Sequence, residues 1–454
     1  MGVLLRVLAF SVGVGDHERV AFSHRGGDRT KRFLLPPSLD DWLPQDHLAR
    51  FVAGAVDQLD LSAFARPHRA DGRGRRSYDP KMLVALVLLA WCEGERSSRR
   101  IELRCIEHIP FRWITGNEAP DHTTISRFIK DKAEAIDGLF AQVLRLAFAA
   151  GMVKVGVVAI DGTKVGANAS PLQSLTRGRL EAEVRRIREE HQANDAADDE
   201  AFGDARGDEL PSDLADPSSR DARIAEAMRQ IEEEDAAAAA AHAAKVAERK
   251  GKGGRPSKAP APNERKGNVT DPDCRTMRGP RGFGPSYNAQ AGVSADQLIV
   301  AAELTQERAD NAQFSPMARA SRDQLDDLGT DKPGCFVADT GYWQPDIFNN
   351  DSDSPEVLVP PAPNKTRKKL GTRGPVPADA TLAQRMERKL STKAAKATYK
   401  TRATTVEPVF GQIKGARGIT RFRRRGLDAV TSEWRLIATT HNLLKMWRHG
   451  VRYT

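Results

Sequence analysis

"VKVGVVAIDGTKVGANAS", residues 153–170, is a run of small and β-branched residues whose apolar part ends on an aspartate. Segments rich in such residues fill the middle of a buried sheet. The stretch predicts a strand over "VGVVAI" that stops at Asp161. Taken alone, Asp161-Gly162 reads as turn chemistry, because a short carboxylate bonds neighbouring backbone amides. Two more acidic residues stand where burial is expected: Asp339 closes "CFVAD" before Thr340-Gly341, and Glu407 lies in "YKTRATTVEPVFGQIKGARG" (399–418). An unpaired carboxylate at the edge of an apolar sheet is costly, so each needs a partner. No single Lys or Arg in these strands can serve all three. A shared hard cation could, since Mg²⁺ takes oxygen ligands and is held by a few carboxylates. If the two strands are neighbours, Asp161 and Asp339 emerge at the same sheet edge, where open α/β sheets place their sites.

Glu407 is followed by Pro408, which suits the first turn of a helix and not its interior. A helix is therefore expected to begin there, capped by Thr404 or Thr405, with its N-terminus favouring an ionised carboxylate. Lys414 stands seven residues on, ~10 Å along the same face, where it could grip a phosphate. Tyr399 and Arg402 precede Glu407; Arg417, Arg421, Arg423, Arg424 and Arg425 follow. Their density beside a candidate metal centre favours phosphate contact over a solvated basic face.

Around this centre the chain has 454 residues, a net charge of +9 and a pI near 9.4, which suits a polyanionic partner such as nucleic acid. The most apolar run, "MLVALVLLAWC" (82–92), is too short to span a bilayer and reads as a buried helix. The opening "MGVLLRVLAFSVGVG" carries Arg6 inside its apolar run and reads as a frayed extension, not a signal segment. Four cysteines without C-x-x-C pairing point to reduced thiols in a cytosolic protein and away from zinc.

Between residues 31 and 150 the apolar spacing is helical throughout, with Asp79-Pro80 and Asp121 as helix starts. Arg127, Lys130 and Lys132 on one polar face permit a helix-turn-helix-like DNA module; an ordinary bundle with solvated cations is the other reading. From residue 153 the pattern alternates strands and helices: "SYNAQAGVSADQLIVAAEL" (286–304) as a hairpin, "CFVADTGYW" and "EVLVPP" as short strands, helices between. An intruding segment carries two helical stripes, Leu180-Val184-Ile187 and Ile224-Met228-Ile231, joined by "GDELPSDLADPSS". It reads as an antiparallel helical hairpin followed by a disordered basic tether, "RKGKGGRPSKAPAPNERKGN" (249–268), which either lies on DNA or is a solvated linker. Asp271 and Asp273 in "TDPDC" read as a turn. Tyr342 and Trp343 read as core aromatics, with base stacking as the alternative. Trp434 and Trp447 lie on an apolar stripe, and His122 and His441 read as structural or capping groups.

The series "AIDGTKV", "VADTGYW" and Tyr399-x2-Arg402-x4-Glu407-x6-Lys414 resembles the catalytic core of DDE transposases from bacterial insertion sequences. "YDPKMLVALVLLAWCEGERSSRRIE" and "FRWITGNEAPDHTTISRF" are similar to that family's helical N-terminal domain, and "NVTDPDCRTM" and "YNAQAGV" to the subgroup with a long insertion after the first catalytic strand. The likeness runs from about residue 33 to 448. It implies a ribonuclease H-like mixed α/β sheet flanked by helices (153–175 plus 283–448), an all-helical DNA-binding domain (31–150), an inserted helical hairpin and basic linker (176–282), and an extension (1–30) that matches nothing. It also implies a metal triad of Asp161, Asp339 and Glu407 holding two Mg²⁺ ions, with Mn²⁺ able to substitute. Expected DNA contacts are Tyr399, Arg402, Lys414, Arg417, Arg421, Arg423 and Arg127. The implied function is binding of terminal inverted repeats in double-stranded DNA, strand cleavage and strand transfer, by a cytoplasmic, nucleoid-associated protein that forms a homodimer in synapsis. Related branches place three residues between the Arg and the Glu, where this chain has four. The alternatives are a repurposed transposase acting as a DNA-binding regulator, or a nuclease that cuts without joining.

Overall fold

The computed structural model describes residues 38–64, 78–154, 156–186, 220–248, 265–279, 282–330, 333–348 and 355–453. The 1–30 extension, Ile187, the "GDELPSDLADPSS" connection and residues 249–264 of the basic tether lie outside the described residues.

Seven helices open the described chain: α1 (Leu39–Trp42), α2 (Leu48–Asp57), α3 (Pro80–Cys92), α4 (Ser98–Glu107), α5 (Ile109–Ile114), α6 (His122–Asp131) and α7 (Ala133–Ala149). The expected start signals operate. Asp79 accepts from the Lys81 amide with Pro80 in the first turn, and Asp121 accepts from the Thr123 amide. Every residue of α3 from Leu83 to Cys92 is buried, as its uniformly apolar sequence requires.

The main sheet comprises β1 (Val157–Gly166), β4 (Arg275–Gly279), β5 (Gly282–Ser294), β6 (Ile299–Thr305), β7 (Cys335–Ala338) and β8 (Glu356–Leu358). The long β5 runs antiparallel to β1 on one edge and to β4 and β6 on the other. Beyond β1, β7 and β8 add in parallel. The result is a mixed sheet, half hairpin-built and half parallel. A small second sheet pairs β2 (Ser174–Thr176) with β3 (Lys266–Asn268). The remaining helices are α8 (177–186), α9 (Arg220–Glu248), α10 (Phe314–Asp326), α11 (Leu382–Leu390), α12 (Lys393–Gly411) and α13 (Leu427–Arg448).

Two local expectations are corrected. β1 does not stop at Asp161: it is ten residues long and carries "DGTKVG" onward, because Asp161 to Gly166 pair with Ala291 to Ser286 of β5. Nor does a helix begin at Glu407. α12 starts fourteen residues earlier at Lys393, capped by Thr392, and contains Pro408 in its interior. Proline there removes the amide that would bond the Thr404 carbonyl. The Gln297 side chain replaces it, donating from Nε2 to that carbonyl at 2.9 Å.

One apolar core runs from Leu43 to Met446 across helices and sheet alike. α13 is its spine, with Trp434, Leu436, Ile437 and Leu443 buried and with α7, β6 and α3 packed against it. The inserted helices bury Leu180, Ile224, Ala227 and Ile231 with Val269 in a cluster of their own. No helix among the described residues is long and apolar enough to cross a membrane.

Candidate active site

The parallel register brings the first two acidic residues together. β1 and β7 pair through Ile160 and Ala338, so Asp161 and Asp339 come one step past the last partnered residues. Asp161 Oδ1 accepts the Gly162 amide at 2.8 Å, and Oδ2 accepts from Arg402 Nη1 of α12 at 2.9 Å. Burial pushes this carboxyl up to about 6; Arg402 and the Gly162 amide oppose the shift and the Asp339 charge adds to it. Asp339 accepts the Gly341 amide at 2.8 Å and caps the single turn Thr340–Tyr342. The other guanidinium nitrogen of Arg402 stands 3.9 Å from Glu407 Oε1, whose side chain is 62% exposed. Tyr399, half-buried one turn before Arg402, has its hydroxyl pushed up by burial, against the pull of Arg402.

Arg402 is therefore the cation between Asp161 and Glu407. The three carboxylates do not close to a tight ligand set. Among the described residues the group with ligand atoms within 4.8 Å of one another is Glu102, Asp121 and His122. There His122 Nδ1 lies 3.0 Å from Glu102 and 3.3 Å from Asp121, tying α4 to the start of α6.

Beside Asp161 lies a polar knot that no sequence signal marked. Asp310 Oδ1 accepts from Lys164 Nζ at 3.0 Å, Asn288 Nδ2 at 2.6 Å and Gln290 Nε2 at 2.9 Å. The Tyr342 hydroxyl donates to Gln290 Oε1 at 2.5 Å, which makes Tyr342 a core group and not a stacking platform. Gly162 is required by this knot: a Cβ there would meet Gln290 Nε2 at 2.2 Å. Asn288, Gln290 and Asp310 lie far from Asp161 in sequence; the β1–β5 register brings Asn288 and Gln290 beside it, and Asp310 joins from the segment after β6.

The basic residues divide. Lys414 does not extend along the face of Glu407. The helix widens into a π turn, Gln412–Ala416, and turns the ammonium onto β1, where it donates to Thr163 Oγ1 at 2.5 Å and the Lys164 carbonyl at 2.8 Å. Burial, then the nearby Lys164, lower its pKa. Arg417 is a correction: its guanidinium bonds the carbonyls of Trp91 and Ile437 and the Thr440 hydroxyl, and its burial keeps it from DNA. Arg421 spends its guanidinium on the Ala167 and Ala169 carbonyls. Arg423 and Arg127 are exposed.

His441 supports the π turn from below. Its Nδ1 lies 2.8 Å from Gln412 Oε1 and its Nε2 2.9 Å from the Gln297 carbonyl. Gln412 Nε2 is buried without a partner in that orientation, so the consistent assignment has the amide turned end for end. Gln412 then donates to Nδ1 and a neutral His441 donates from Nε2. Complete burial lowers this imidazole to about 3.

Residues 37–131 match the family described as a transposase domain (DUF772), and residues 364–447 match the transposase DDE domain. The first covers α1 to α6 and Arg127; the second covers Arg402, Glu407 and Lys414 but neither Asp161 nor Asp339. No curated protein and no solved structure matches the chain. The two matches, in this order, support a DDE transposase of an insertion sequence, an enzyme whose substrate is DNA.

Proposed function

We propose that the protein binds the terminal inverted repeats of its element and catalyses metal-dependent cleavage and transfer of a DNA strand, with Asp161, Asp339 and Glu407 as the metal-binding triad. The observation that carries this reading is the meeting of Asp161, Arg402 and Glu407 beside Asp339, from two parallel strands and one helix distant in sequence. The sheet order, an antiparallel hairpin on one side of β1 and two parallel strands on the other, supports a ribonuclease H-like catalytic domain.

The chemistry of the donors suits Mg²⁺. All three side chains offer carboxylate oxygens, the ligand a hard cation prefers, and Asp161 is held close to a cation already, through Arg402. Asp161 and Asp339 would hold one side of the metal centre and Glu407, exposed at the site's open edge, the other. Bound there, divalent ions would activate a hydroxyl nucleophile and neutralise charge on the departing oxygen. The chain's own residues position the strand and stabilise charge. The Gly162 amide and the Thr340–Tyr342 cap fix the two aspartates, the Asp310 knot keeps β1 and β5 in register beneath them, and Arg402, once released from Asp161, is placed to meet a phosphate. A homodimer bringing two ends together and residence on the nucleoid belong to the same proposal.

The test uses labelled duplexes carrying the repeats that flank the coding sequence, incubated with the protein in Mg²⁺, Mn²⁺ or Ca²⁺. Cleavage is expected with the first two ions and binding without cleavage in Ca²⁺; Asp161→Ala and Glu407→Ala should bind and not cut. Variants that cut like the wild type would remove the triad.

A further inference from the structure

A cleft of about 580 Å³ separates α4 and α6 from the loop that leads into α13. Arg99 and Lys130 stand on its helical wall, and Arg423, Arg424 and Arg425 on the opposite wall. The one carboxylate lining it, Glu433, is buried and committed to the scaffold. It accepts from Arg96 Nη1 at 2.7 Å and from the amides of Arg423 and Arg424 at 2.9 Å. Asn168, just beyond β1, donates to the Arg423 carbonyl at 2.7 Å, and its own carbonyl accepts from Arg425 Nε at 2.9 Å. The arginine run is thus held by its main chain from both sides. Among the described residues, the side chains of Arg99, Lys130 and Arg423 have no hydrogen-bond or ion-pair partner, while Arg424 makes no hydrogen bond but is half-buried, with Glu433 and Asp137 attracting its charge.

Like charges gathered in one concavity repel, and a low-dielectric cleft focuses their field. A single small anion would call for cations converging on one point. Here they are spread along two facing walls, which suits an extended polyanion with regularly spaced charges. We propose that this cleft receives the phosphodiester backbone of duplex DNA and grips it from the helical wall and the arginine wall together. The choice of DNA as occupant rests on the transposase reading above; the charge arrangement does not. Phosphate contacts of this kind set register and affinity but do not read sequence.

Two double variants separate the walls: Arg99→Glu with Lys130→Glu, and Arg423→Ala with Arg424→Ala. An exposed arginine outside the cleft, Arg319→Glu, serves as control. Binding of fluorescent duplexes, one with and one without the terminal repeat, is followed by anisotropy across a salt series, with circular dichroism checking that each variant folds. Each wall variant is expected to lose affinity for both duplexes at least tenfold. Its log K against log salt slope should fall by roughly one per removed phosphate contact. Arg319→Glu should leave the slope unchanged. An unaltered slope in both folded wall variants would overturn the proposal, as would loss from one wall alone, or a duplex RNA competing better than DNA. The transposase reading fails on a different result: Asp161→Ala cutting normally, whatever the cleft variants do.

Discussion

Arg402 donates to Asp161 at 2.9 Å and stands 3.9 Å from Glu407, so its guanidinium supplies the positive charge beside the buried Asp161 carboxylate. Removing it leaves Asp161 buried without a counter-ion, a loss on the order of 3 kcal/mol. Arg402→Ala should therefore lower the thermal midpoint in EDTA and recover most of the difference in saturating Mg²⁺, since a bound cation stabilises only the folded state. A midpoint gap that Mg²⁺ leaves unchanged would separate Arg402 from any metal site. At this scale Asp161 and Asp339 stand out in the sequence, because a carboxylate beside an apolar run is conspicuous, whereas Glu407, expected to be buried, is 62% exposed. The sequence disclosed Arg417 wrongly. Its neighbours in sequence are a surface-like basic run, and only the fold brings the Trp91, Ile437 and Thr440 oxygens around it. It did not disclose Glu433, an acidic residue within a helical stripe whose partners lie in a preceding loop and in the helical region.

Among the elements, α3, the 286–304 hairpin and the inserted helical stripes were legible, because apolar period and cap residues are local properties. The extent of β1 was not. "DGTKVG" reads as a turn until β5 is present to pair with it. Pro408 reads as a helix start until Gln297 supplies the bond that proline removes. The π turn after α12 has no sequence mark, and it decides where Lys414 points. His441 holds that turn in its neutral form. Its pKa is depressed from 6.5 to about 3, so its contribution to stability is complete above the unfolded value and is lost as pH falls from 6.5 toward 3. Denaturant titrations between pH 7 and 4 should show stability falling, by up to about 1.4 kcal/mol per pH unit for one proton. The His441→Gln protein, with no imidazole to charge, should show a shallower slope; an identical slope would exclude His441 as the source.

Across the whole molecule, the helical region and the sheet share one core, built on α13, while the inserted helices keep a separate one. A composition-based division at residue 150 gives no hint of this, since α13 lies some three hundred residues from the helices it packs against. The shared core lets the basic cleft form between the segments that match the two transposase domains. It also fixes α12 over β1 and β7, which is the condition for a single metal centre.

The proposed metal centre can be tested directly by loading the protein with Fe²⁺ in place of Mg²⁺ and mapping backbone scission by ascorbate-driven hydroxyl radicals. The expected pattern is scission near residues 161, 339 and 407 together, suppressed by excess Mg²⁺ and absent in Asp161→Ala. Scission confined to residues 102 and 121–122, where the tightest ligand cluster among the described residues lies, would contradict the account.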